Sequence, residues 1–303
     1  MSLLVIGSAA FDSVQTPSGE KRSKVMGGSG VYAAYAASFF TPVRLVSVVG
    51  GDWPDEFTRV LAQRQIGLEG LEIRPEGQTF SWTGKYLENM DDRETLDMQL
   101  NVMQGAYNPV VPESYRDSEF VFLANDPPAS HLDLLSKLKR KPRLTVADTM
   151  DFYIHHEPDA LRELLRQIDG LILNDSETRL LTGLQNTIAA ARQILEMGPS
   201  FVVVKKGENG AFCLTRERIH LIPAFPSERV VDPTGAGDSF AGALMGTLAE
   251  SGKSDPESIA SAMARATVVA SYCIEGFSLE QLERVTPGHI ESRLAAFRNM
   301  ITF

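Results

Sequence analysis

The stretch Val230-Val231-Asp232-Pro233-Thr234-Gly235-Ala236-Gly237-Asp238-Ser239-Phe240-Ala241-Gly242 runs from an apolar strand end through a glycine turn into small and apolar residues at helical spacing. A helix is expected to open near Gly237. Its start would leave the backbone N–H groups of Gly235, Ala236 and Gly237 without intrahelical partners. Such groups, with the positive end of the helix dipole, attract an anion. No side chain larger than a methyl stands there, so a phosphoryl group can approach the backbone closely. Asp238 sets a carboxylate beside that seat, where it can take a proton from a hydroxyl attacking phosphorus. An aspartate here also serves as a plain helix cap, but the Gly-Ala-Gly run exposes more donors than a cap requires.

The remaining chain supplies a frame for this turn. Short apolar runs at 3–6, 44–49, 120–123, 144–147, 170–173 and 201–204 alternate with helical patterns at 31–39, 55–64, 130–138, 159–168, 176–181 and 187–197. Strands that are apolar throughout and separated by helices indicate a parallel sheet covered on both faces. The fold class is therefore α/β: a doubly wound, mainly parallel sheet flanked by helices. Residues 238–250, 256–273 and 287–300 carry further helical patterns. Two segments break the alternation. Residues 12–26 are polar and turn-rich, and 78–104 alternate apolar with polar residues around a turn at 90–93, as strands with one wet face do. They are expected to form a small β-sheet lid on a single domain spanning 1–303.

The chain has 303 residues and a net charge of -10, with 43% hydrophobic and 22% charged residues, an ordinary globular balance that argues against extensive disorder. The acidic balance argues against a grip on nucleic acid. The single basic run, Lys137-Leu138-Lys139-Arg140-Lys141, reads as a solvated helix end. No run approaches the ~18 apolar residues of a membrane span, and the start carries no basic signal region. A cytoplasmic protein acting on a small molecule, with neither nucleic acid nor membrane as partner, is the expectation. Cys213 and Cys273 lie in apolar runs and read as buried free thiols.

Asp232-Pro233-Thr234-Gly235-Ala236-Gly237-Asp238-Ser239-Phe240 resembles the C-terminal signature of the ribokinase-like (PfkB) carbohydrate and nucleoside kinases. Four further elements follow that family's order: Gly7 to Asp12, Gly27-Gly28-Ser29-Gly30, Asn174 to Glu177, and Lys206 to Gly210. The resemblance implies an ATP-dependent kinase with Mg2+ as cofactor, phosphorylating a primary alcohol of a sugar or sugar-like substrate. A nucleoside kinase of the same fold and a catalytically silent ligand sensor are the alternatives.

By this resemblance Asp238 is the base, and Gly235, Ala236 and Gly237 form the anion hole. Asp12 holds substrate hydroxyls. Gly27 and Gly28 let the substrate lie against the backbone, and Tyr32 offers a ring to it. Asn174 and Glu177 organise Mg2+ through water, or else cap a helix. Gly207 and Gly210 line the nucleotide site, or form a hairpin turn. Lys205 supplies a cation to the nucleotide, or stands as a solvated charge. Asp232 and Thr234 match positions that hold a monovalent cation, K+, in activated members. Two positions depart from the pattern. Ala10 replaces a polar amide, and Tyr32 stands where an asparagine is usual, so ribose itself is not the implied substrate. An exposed lid sheet also suggests a homodimer.

Other chemistries fit less well. Gly28-Ser29-Gly30-Val31-Tyr32-Ala33, with Asp52 beyond it, matches a dinucleotide fingerprint, but that fingerprint belongs directly after the first strand, which ends at Gly7. Gly237-Asp238-Ser239-Phe240-Ala241 is a degraded nucleophile elbow, with His289 the sole later histidine.

Overall fold

The computed structural model describes residues 2–104 and 107–301. The chain opens with β1 (Leu3–Ile6), β2 (Ala10–Gln15), β3 (Lys21–Gly27), α1 (Ser29–Ala37), β4 (Val43–Gly50), α2 (Asp55–Ala62), β5 (Ile66–Arg74), β6 (Ser81–Tyr86) and β7 (Arg93–Gln99). It continues through β8 (Phe120–Leu123), α3 (Pro128–Ser136), β9 (Leu144–Asp148), α4 (Asp151–His156), α5 (Pro158–Leu165), β10 (Gly170–Asn174), α6 (Asp175–Thr182), α7 (Thr187–Met197) and β11 (Phe201–Lys205). A hairpin, β12 (Ala211–Thr215) and β13 (Ile219–Ile222), precedes α8 (Ala236–Ser251), α9 (Pro256–Cys273), α10 (Glu280–Arg284) and α11 (Pro287–Met300).

The main sheet has nine strands in the order β13-β12-β11-β10-β9-β8-β1-β4-β5. Neighbours from β5 to β11 pair in parallel, and β12 and β13 add an antiparallel edge. The chain winds outward from β1 through β4 to β5, then returns to place β8 on the other side of β1. Between β1 and β8 the winding reverses, and a crevice opens outside their carboxyl ends. One apolar cluster covers the α1/α8/α9 face and includes Leu3, Val5, Phe122 and Leu244. A second covers the α3/α5/α7 face and includes Leu4, Ile6, Leu123 and Leu164.

A separate four-stranded sheet, ordered β3-β2-β6-β7, occupies the two segments expected to form a lid. Its outer pairs are antiparallel and its central β2–β6 pair is parallel. β2 follows β1 after three residues, so the lid is rooted at the switch point.

Sequence and structure differ in several places, the short helices α4 and α10 among them. β5 was not anticipated: Gly67, Glu69, Gly70 and Glu72 interrupt its apolar residues, as suits an edge strand. The β12–β13 hairpin was also missed. The approach to α8 is irregular instead of a strand end. β13 stops at Ile222, and the amides of Val231 and Asp232 both donate to the Ile274 carbonyl, at 2.7 and 3.2 Å. The expected thiols are there: both cysteines are buried and free.

α8 is apolar nearly all round and buried from Ser239 to Ala249, as a central helix should be. Its partner α1 is rich in alanine. A methyl group added at Gly242 would fall 2.1 Å from the Ala33 carbonyl oxygen, and one at Gly246 would fall 2.7 Å from that of Ala37. The matching direction of these contacts makes the helices parallel, with both N-termini at one end. Gly242→Ala should therefore force α1 away and lower stability by about 1–3 kcal/mol, read as a lower urea midpoint with unchanged m-value. An unchanged midpoint would show that the two backbones do not meet.

Candidate active site

The N-terminus of α8 points into the crevice. Gly235 caps it with φ 76°, a left-handed conformation natural to glycine, and no side chain caps the exposed N–H groups. Asp238 lies in the first turn. Burial, then the nearby Asp148 charge, pushes its carboxyl up to about 6, against the pull of Lys205 and Arg93. A carboxylate with that pKa is ionised at pH 7 yet basic enough to receive a proton.

Lys205 ends β11 and is bonded to Asp148, at the end of β9, by an ion pair of 2.8 Å. A methyl group added at Gly237 would lie 3.1 Å from Lys205 Nζ. The ammonium therefore stands directly beside the anion seat. Burial works against its charge, but Asp148, Glu177 and Asp238 outweigh burial and hold its pKa above the usual value. Asn174 and Glu177 form a reciprocal capping box at the start of α6: the Glu177 amide donates to Asn174 Oδ1 at 2.8 Å, and the Asn174 amide to Glu177 Oε2 at 2.7 Å. Burial and Asp148 raise the Glu177 carboxyl above the usual range.

Asp12 occupies β2, opposite Val25 and Trp82, and is 5% exposed. It lies so close over Gly27 that a methyl group there would meet its Oδ2 at 2.0 Å. Burial, Asp232 and Asp238 raise its carboxyl to about 7, and the Gly28 amide lowers it. Gly28 caps α1 with φ 97°. Tyr32 does not present an open ring. It is 1% exposed, and its ring packs on Gly235 so tightly that a methyl group on that glycine would lie 2.4 Å from it. Ala10 is fully buried in the core.

Gly207, at φ 52°, and Gly210 bracket a short helical turn between β11 and β12. Beside it is a cleft of about 260 Å³ lined by Lys206, Asn209, Leu221, Ile222 and Pro223 among others. The tip of the β6–β7 hairpin reaches this turn: a methyl group on Gly207 would fall 2.3 Å from the Asp91 carboxylate. Asp232 is 1% exposed. Its Oδ1 accepts the Thr234 amide at 2.9 Å, and its Oδ2 is buried without a hydrogen-bond partner.

Thus one crevice gathers Asp12, Gly27, Gly28, Glu177, Lys205, Gly235, Gly237 and Asp238, drawn from both halves of the chain. Sequence reasoning passed over three further residues. Asp148 was overlooked although polar residues just after an apolar strand mark the carboxyl edge of such a sheet. Arg93, on the lid, exerts its charge on Asp12, Glu177 and Asp238 together. Asn125 follows β8 at the switch point. Its carbonyl accepts the Ser29 hydroxyl at 3.1 Å, and its Oδ1 is buried without a partner.

The family model for pfkB family carbohydrate kinases matches residues 2–280. A cytidine kinase from Thermococcus kodakarensis is 31% identical over 250 residues, covering 81% of this chain and 87% of the relative. A Burkholderia thailandensis nucleoside kinase solved with inosine superposes with a TM-score of 0.79 at 19% identity, covering 98% of both chains. A putative ribokinase II from E. coli, solved with ATP and Mg2+, gives 0.79 at 19% identity and covers 97% of this chain and 99% of that one. The two superpositions establish the fold, and the family match together with the cytidine kinase establishes descent: the chain belongs to the pfkB family of carbohydrate kinases.

Proposed function

We propose that the protein transfers the γ-phosphoryl group of ATP to a primary hydroxyl of a nucleoside or sugar, with cytidine as the first candidate acceptor. One observation carries this reading: the Asp238 carboxylate stands at the uncapped N-terminus of α8 with the Lys205 ammonium beside it. The acceptor oxygen attacks the γ-phosphorus while the bond to the β,γ-bridging oxygen breaks. Asp238 takes the hydroxyl proton, and the products are a phosphate ester and ADP. The N–H groups of α8 and Lys205 hold the charge that spreads over the phosphoryl oxygens. Asp12, buried on lid strand β2, accepts hydrogen bonds from the acceptor. Cytidine leads because the cytidine kinase relative is matched over most of both chains.

The crevice is rich in carboxylates, so the nucleotide needs accompanying positive charge. Among the described residues no group of three or more His, Cys, Asp or Glu side chains could hold a metal. That suits Mg2+, which keeps several waters and arrives on the phosphates needing only one or two protein carboxylates. Glu177, whose Oε1 is not used by the capping box, is the carboxylate in place. A bound Mg2+ would neutralise phosphate charge. The orphaned Oδ2 of Asp232 offers one oxygen of a K+ site. The exposed Leu87 and Leu96 of the lid supply a face for a second copy, giving a homodimer. No helix among the described residues is long and apolar enough to cross a membrane, and reduced thiols at Cys213 and Cys273 suit the cytoplasm.

Four measurements test this. ADP release from ATP and Mg2+ should depend on an acceptor in a panel of cytidine, uridine, inosine, ribose and deoxyribose. Asp238→Asn should keep ATP binding and lose ~10²–10⁴-fold in kcat; near-normal turnover would remove Asp238 from the chemistry. The kcat/KM profile should fall on the acid side with an apparent pKa of about 6, because the base is lost as pH drops through the raised pKa of Asp238. A limb near 4 would point to a different base. Replacing Na+ by K+ should raise the rate, and Asp232→Asn should abolish the difference. Equal rates in the two salts for the unaltered protein would exclude the K+ site.

A further inference from the structure

The lid touches the catalytic turn at one polar point. Tyr86, the last residue of β6, and Thr234, directly before Gly235, share a hydroxyl–hydroxyl hydrogen bond of 3.1 Å across 148 residues of sequence. The seat of this bond is apolar. Tyr86 is 4% exposed and packs with Val14 of the lid and Phe277, and Trp82, Met90 and Val231 close over the cluster. A tyrosine hydroxyl this deeply set needs a partner. The lid supplies Val14, Trp82, Tyr86 and Met90, while the main domain supplies Val231, Thr234 and Phe277. The cluster exists only when the lid lies against the turn.

On the main-domain side the turn is also tied by the Ser239 amide to the Gly235 carbonyl at 2.8 Å, by the Cys273 thiol to the Thr234 carbonyl at 3.6 Å and by the Tyr32 ring packed on Gly235. The Thr234 amide donates to Asp232 Oδ1, and the Ala236 amide to the Pro233 carbonyl. A second lid contact lies nearby: the Ser278 hydroxyl bonds the Met26 carbonyl at the end of β3. Two separate lid strands thus grip the two segments, 231–234 and 277–278, that lead to and flank the anion seat.

We propose that Tyr86 is a positioning residue for phosphoryl transfer: closure of the lid brings its hydroxyl to Thr234 and so fixes the Gly235–Gly237 turn in its anion-binding form. This rests on the kinase reading of that turn. It supplies a physical reason for the lid to act on chemistry as well as on acceptor binding. With the lid open, the Thr234 hydroxyl loses Tyr86 and the turn is held by its main-domain ties alone. With an acceptor under the lid, the turn is set and water has been excluded. Transfer to water is then disfavoured, because closure and the assembled anion seat come together.

The test uses the full chain with Tyr86→Phe, which keeps the ring in its apolar seat and removes only the hydroxyl. Thr234→Val removes the same bond from the other side. Hydrogen exchange at the amides of residues 234–238, measured without any substrate, should quicken about 3- to 10-fold in both variants, the scale of one lost hydrogen bond, and the double variant should be no faster than either single one. With ATP and cytidine, Tyr86→Phe should lower kcat by a similar factor and leave ATP affinity unchanged. Exchange at 234–238 that is the same in Tyr86→Phe and the unaltered chain overturns the proposal, as does an additive effect in the double variant. A chain that shows the exchange effect but phosphorylates no alcohol of the panel keeps the latch and sinks the kinase reading.

Discussion

The small-residue seam between α1 and α8 is the constraint on which the site depends. Two helices with leucines at their contact stand 8–10 Å apart. Here Gly242 and Gly246 lie directly on the backbone at Ala33 and Ala37. Because the helices are parallel, this close approach also brings their N-termini together. Gly28, which caps α1, thereby comes beside Gly235, which caps α8. The tyrosine at position 32 makes the link material. Long helical side chains lean toward the N-terminus of their own helix, and Tyr32 leans far enough to cover Gly235. The starts of α1 and α8 are held in register by this packing.

The electrostatics follow from that crowding. Asp12, Asp148, Glu177, Asp232 and Asp238 converge on a space served by two cations, Lys205 and Arg93. Burial, together with neighbouring carboxylates, raises the carboxyls of Asp12, Glu177 and Asp238 above the usual range, and burial with Glu280 does the same for Asp232. Asp148 is the exception in role: its ion pair with Lys205 supports an ammonium that burial works against. Removing Asp148 would weaken Lys205 and Asp238 together, although Asp148 itself need never touch phosphate.

Most of the fold was legible because its strands are buried on both faces, which gives continuous apolar runs that cannot be mistaken for loops. The runs at 3–6 and 120–123 coincide with β1 and β8, and the patterns at 187–197, 256–273 and 287–300 with α7, α9 and α11. β5 escaped because an edge strand carries no such run. Of the site, the residues tied to glycine turns could be read, since a turn that exposes N–H groups announces its chemistry locally. Asp148, at the carboxyl end of an apolar run, carried a signal that was overlooked; Asn125 and Arg93 carried none. Each of these two matters through what a distant strand or the lid brings against it, and no local pattern encodes that.

Tyr32 shows how a departure from the family pattern rearranges the site. An asparagine at this position could turn amide groups toward the acceptor, whereas the tyrosine spends its bulk on Gly235. Its hydroxyl is buried without a partner, and burial with the charges of Asp12 and Asp232 raises its pKa well above the usual value, so it stays neutral. Discrimination among acceptors must then move elsewhere. Asp12 can report only that hydroxyls are present. A buried polar side chain with an unpaired atom at the switch point is Asn125, whose Oδ1 has no partner. A buried unpaired acceptor is costly, and a ligand donor that satisfied it would be selected strongly over an analogue lacking one.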